Sequence, residues 1–182
     1  MISIARLLLF FVITMGYNAF FRNTVKMNRS LTWVFTFSVI TLVLYLGSLL
    51  GFMLQTVYAI SVLGCLLSLY YLWAVWKKKY RFRRLDYIAL GMMAYLLLFG
   101  ITLWHSPLLH YDNFTHWATI VKFFHINNAL PTQQDTIISY YTYPVGSSLF
   151  IYFFTTIVGF SEGSMLVGQF FLIASSLYAM FA

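Results

Sequence analysis

The sequence predicts an all-α integral membrane protein with about six transmembrane helices and one interfacial amphipathic helix in an outer loop. Three observations predict it. Hydrophobic residues make up 62% of the chain and charged residues 8%, against roughly a quarter charged in a soluble domain. The apolar residues fall into runs of membrane-crossing length. The positive charges gather in two short clusters beside those runs. So apolar a chain cannot cover its surface with polar groups in water, and lipid is the solvent that fits it. The formal charge of +7 belongs to those clusters, as the positive-inside rule requires, and does not indicate nucleic acid as a partner.

The first run, about 2–21, contains Arg6 near its start and has no small-residue cleavage site, so it reads as a membrane helix rather than a signal peptide. The segment 22–29 then carries Arg22, Lys26 and Arg29. The second and third runs are about 31–54 and 57–76, with Gln55-Thr56 as a short turn. Within the second, Gly47-Ser48-Leu49-Leu50-Gly51 is a small-xxx-small pattern that suits close helix approach, or simply reflects how common Gly is in membrane helices. Cys65, the single cysteine, reads as a small buried hydrophobe. The segment 77–84 holds six positive charges in eight residues. The fourth run is about 87–104. After a polar interval come the fifth, about 145–160 and short for a bilayer, and the sixth, about 164–182, joined by Ser161-Glu162-Gly163.

Charge orients the chain. Placing the loops 22–29 and 77–86 in the cytoplasm puts the amino terminus and the loop 105–143 outside, where Asp112 and Asp135 outnumber Lys122. The expected location is therefore the cell membrane, with membrane lipids as partners. Residues 1–86 form an amino-terminal three-helix region, and 87–182 a second region around the outer loop. The apolar ending at Met180-Phe181-Ala182 suggests the front portion of a longer protein.

The chemistry-bearing residues concentrate in 105–143, which holds all four histidines and two of the four acidic residues. Residues 113–126 have helical periodicity, with Phe114, Trp117, Val121 and Phe124 on one side and Asp112, Thr115, Thr119 and Lys122 on another. That pattern predicts a helix lying in the interface with its aromatic face in lipid. Asp112 and His116 are then one turn apart and share a patch. Asp112 suits an N-cap and equally a catalytic carboxylate. His110, Asp112 and His116 are a weak candidate metal set, because His-x-Asp-x3-His is not a strong zinc spacing. Lys122 suits a phosphate contact or a snorkelling interfacial lysine. His105 and His125 read as hydrogen-bonding groups at the interface. Pro144 suits the first turn of the fifth helix. The sequons at Asn28 and Asn113 read as chance matches.

Tyr111-Asp112-Asn113-Phe114-Thr115-His116-Trp117 in an outer loop after a membrane helix, followed by Tyr143-Pro144-Val145-Gly146 entering the next, resembles the multi-spanning GT-C glycosyltransferases. These include the protein mannosyltransferases and the lipid A aminoarabinose transferase. The resemblance covers roughly residues 87–182. It implies transfer of a sugar from a polyprenyl-phosphate-linked donor to an acceptor at the outer face, with Asp112 at the position of the catalytic Asp. Tyr111, His116, Lys122 and Tyr143 are the candidate substrate-binding residues. No cofactor is certain; a divalent metal on Asp112 and His116 is the variant mechanism. The chain departs from the family pattern at Asn113, at Val145, and in having three helices before the matching one. The alternative is a non-catalytic polytopic protein, either a transport or envelope-assembly component or a degenerate GT-C relative.

Overall fold

The computed structural model describes residues 4–77, 87–138 and 142–181. The basic residues 78–84 and the tyrosines at 140 and 141 lie outside the described residues. Among those described, every regular element is a helix: α1 (Ile4–Asn23), α2 (Arg29–Leu49), α3 (Met53–Trp76), α4 (Tyr87–Trp104), α5 (Tyr111–Thr115), α6 (Trp117–Asn127), α7 (Gly146–Val158) and α8 (Glu162–Phe181). The protein is an all-α membrane protein. Five helices, α1 to α4 and α8, are long and apolar enough to cross a bilayer.

Each long helix solves the same problem: its backbone must hydrogen-bond to itself, because lipid offers no partners. Its buried hydroxyls do likewise. Thr14, Thr32, Thr36 and Ser48 donate to carbonyls one turn back, at 2.7–2.9 Å. The lipid-facing sides stay apolar: Val62, Leu66, Leu69 and Leu72 of α3 are each more than half exposed.

The turn Asn23–Asn28 and the Gly51 turn make α1 and α3 parallel and adjacent, with α2 antiparallel to both. Gly51 takes a left-handed φ of 79° there, the role left to it from the small-xxx-small pattern. Gly47 does lie at a close approach, since a Cβ on it would collide with Thr56 of α3. A second close crossing, backbone against backbone, is one the pattern did not reveal. Gly16 of α1 abuts Gly64 and Ser68 of α3, so neither glycine has room for a side chain.

The sixth apolar helix, α7, is shorter than the run 145–160. It has 13 residues, about 20 Å of rise, against a hydrocarbon core of roughly 30 Å. Pro144 precedes the N-cap Val145 rather than occupying the first turn, and Gly159 at φ 118° ends the helix. Nine of the 13 residues are buried. Phe150 and Phe154 meet Phe10 of α1, and Phe150 also meets Phe37 of α2. This short helix is therefore the centre of the bundle, and one core runs from Phe10 through Leu44 and Phe124 to Val167.

The pairing of α4 with α8 fixes the topology. Trp104, at the end of α4, abuts Gly163 at the start of α8, and Tyr95 and Phe99 pack on Phe170 further along. The two helices are antiparallel. The chain thus leaves α4 and enters α8 at the same end of the bundle. Glu162 fastens the return, accepting a 2.9 Å hydrogen bond from the Leu108 N–H. At the opposite end, Arg29 and Tyr178 line one cavity.

Candidate functional site

Where α4 ends, His105 folds back to hydrogen-bond the Ile101 carbonyl at 2.9 Å, as expected of an interfacial histidine. The chain then turns into α5. His110, not Asp112, is its N-cap: the bare Nδ1 of His110 accepts the Asp112 N–H at 3.3 Å. The Asp112 carboxylate lies 3.4 Å from that same nitrogen. One nitrogen cannot satisfy both. An unprotonated Nδ1 caps the helix, whereas a protonated one donates to the carboxylate. Both side chains are more than half exposed, so the ion pair adds little stability.

The continuous helix expected over 113–126 is broken at His116, whose backbone sits at φ −125°, ψ −109°. The two pieces have different anchors. Asn113 is buried in α5, which also removes it as a glycosylation acceptor. Trp117 opens α6 with its carbonyl held by Ser148 of α7 at 3.2 Å. Accordingly, the apolar side of α6 does not lie in lipid. Ile120, Val121 and Phe124 are buried in the core, and Phe124 packs edge-on to Tyr152 of α7. Asp112 and His116 are joined through the backbone instead, the His116 N–H donating to the Asp112 carbonyl at 3.0 Å.

The break aims the His116 ring at Tyr143, with centroids 5.1 Å apart. Tyr143, half exposed, is also a wall of an open groove of about 950 Å³. Thr41 and Tyr45 of α2 form one side of that groove, and the stretches 130–132 and 142–147 the other. Thus the structure gathers His110, Asp112, His116 and Tyr143 along one edge. It does not gather the other two candidates. Tyr111 is 73% exposed. Lys122 is half-buried on α6, without an ion pair to any described residue. The proposed metal set is not assembled either: no three His, Cys, Asp or Glu side chains converge among the described residues.

No family model matches the chain, and no curated protein or solved structure matches it. The chemistry at this edge therefore rests on its geometry alone. That geometry offers one accessible carboxylate, two aromatic rings meeting at a tilt of 49°, and a groove with both hydroxyl-bearing and apolar walls.

A second polar cluster joins the far end of α6 to α7. His125 lies 2.8 Å from the Thr155 hydroxyl. Thr155 donates its own proton to the Ile151 carbonyl, so the His125 Nε2–H is the donor and Nδ1 is bare. Tyr152 and Phe160 flank the ring, and burial pulls its pKa down to about 4. Beside it, the Tyr152 hydroxyl donates to Asn128 at 2.9 Å. His125 was legible as a hydrogen-bonding residue. Its partner Thr155, inside an apolar run, gave no signal of its own.

Proposed function

We propose that this protein is a membrane glycosyltransferase, or the front portion of one, using a polyprenyl-phosphate-linked sugar at the outer face. The supporting observation is the meeting of His116 and Tyr143, which brings the Asp112 turn to the lip of the groove beside α2. In this reading the groove receives the lipid-linked donor. Asp112 takes the proton from the acceptor hydroxyl or amine as that group attacks the anomeric carbon. The new bond forms as the bond from that carbon to the carrier phosphate breaks, and the departing phosphate keeps the electron pair. Lys122 of α6, which lies apart from the groove lining, meets that charge in this reading only by swinging its long side chain toward the donor. The half-exposed Tyr143 ring, tilted against His116, offers an apolar face to a sugar.

The test is Asp112→Asn in membranes containing the whole protein, supplied with labelled donor. Transfer should fall by about 10²–10⁴-fold, the contribution of a general base, with expression unchanged. Undiminished transfer would remove Asp112 from the mechanism. The openness of Asp112, whose carboxylate meets only His110 among the described residues, favours a second reading: a relative that keeps the architecture without catalysis. In that case wild-type membranes would transfer no label.

A further inference from the structure

The packing of α4 leaves a space that no described residue fills. Among the described helices α4 packs closely on α8 alone, and Ala89 is its single buried residue. The other side of α8 rests on α2 and α7, with Phe171 reaching Phe10 and Phe11 of α1. Between α4 and the α1–α2 pair lies a slot of about 350 Å³. Its walls include Phe11, Trp33, Phe37 and Met92, and its end is marked by Arg29. The slot extends along α2 from Arg29 to Phe37, about 12 Å at the helical rise.

We propose that this slot holds one acyl chain of an anionic phospholipid from the leaflet on the Arg29 side. Three features specify that occupant. The walls are mostly apolar, with Thr14 and Ser175 bonded to their own helix carbonyls, so ordered water has few partners there. The slot lies within the crossing helices, beside an α4 that touches neither α1 nor α2 closely, so it is reached from the bilayer. Methionine at its α4 wall, in Met92 and Met93, adapts to an irregular chain. The head-group preference comes from charge. Arg29 lines the mouth, with Arg22 in the last turn of α1 and Lys26 in the connection to α2. Arg29 already takes part in the fold, but a guanidinium has five N–H donors and serves a phosphate as well. Anionic lipid is what a cytoplasmic leaflet presents to such a cluster. The inference is independent of the sugar chemistry: the slot opens at the opposite end of the bundle from Asp112.

The test uses the whole chain in phosphatidylcholine nanodiscs, doped with phosphatidylglycerol or phosphatidylcholine carrying a photoreactive group in the acyl chain. Crosslinks should concentrate on the peptides containing Trp33–Phe37 and Met92–Met93, severalfold above those on the open lipid face of α3. Phosphatidylglycerol should label them severalfold more than phosphatidylcholine. Arg29→Gln should remove that preference while leaving the labelled positions unchanged. Ser175→Phe, which pushes a ring into the slot, should abolish slot labelling while sparing α3. Equal labelling of α3 and the slot in the wild-type protein would overturn the site, whether or not either variant folds. Slot labelling without a head-group preference would overturn the anionic lipid.

Discussion

At the residue scale, His125 makes a proton-linked prediction. Its pKa falls from an ordinary 6.5 to about 4 because burial disfavours the charged ring. Between those values the unfolded chain binds the proton and the folded chain does not, so stability rises with pH across that window. It is complete above pH 6.5 and is lost as pH falls toward 4. Because the ring is only partly enclosed, the loss should be about 1–2 kcal/mol. Thermal unfolding in detergent at pH 7 and pH 4.5 should therefore show a larger drop for wild type than for His125→Gln. An equal drop in both would place the acid sensitivity elsewhere. The sequence singled out the histidines because they are rare in an apolar chain, and it placed His105 and His125 as hydrogen-bonding groups. It could not assign the cap of α5, because His110 and Asp112 both carry acceptors and two-residue spacing leaves either free to turn back. Nor could it show Tyr143 reaching His116, a contact made only after the intervening loop folds.

Between elements, the parallel pair α1–α3 depends on the absence of two side chains. Gly16 and Gly64 let the backbones touch, and Ser68 and Tyr17 add hydrogen bonds across the seam to the Val12 and Ile60 carbonyls. Gly16→Leu should cost about 2–3 kcal/mol by overpacking, read as a lower detergent melting temperature. Gly91→Leu on α4, where an added Cβ meets open space, should be neutral. The long helices were legible from composition and length alone, within a few residues at each end. The break at His116 and the shortness of α7 were not. Periodicity reports which face is apolar, but not whether lipid or protein covers it. The apolar side of 113–126 thus read as a lipid face, although α7 is what covers most of it. The run 145–160 read as a crossing because a buried core helix and a lipid-facing one share the same composition.

For the molecule as a whole, the antiparallel pairing of α4 with α8 predicts sidedness. In a Cys65→Ser background, single cysteines replacing Leu109 and Phe160, both exposed, should react with a membrane-impermeant thiol reagent from the same side. A cysteine replacing the exposed Val25 should react only from the other side. Labelling of 109 and 160 from opposite sides would break the topology described here. The centrality of α7 also bears on the order of assembly. Phe10, fully buried, finds its ring partners outside α1 at Phe150, Phe153, Phe154 and Phe171, all made long after it during translation. As the nascent chain emerges from the ribosome, the first three helices can join through their glycine seam while that ring still faces lipid tails. The assembly then waits, half-built, for a short piece of polypeptide that never has to cross to the far side. A membrane chaperone that recognises unfinished bundles would meet this one with Phe10 as its open edge.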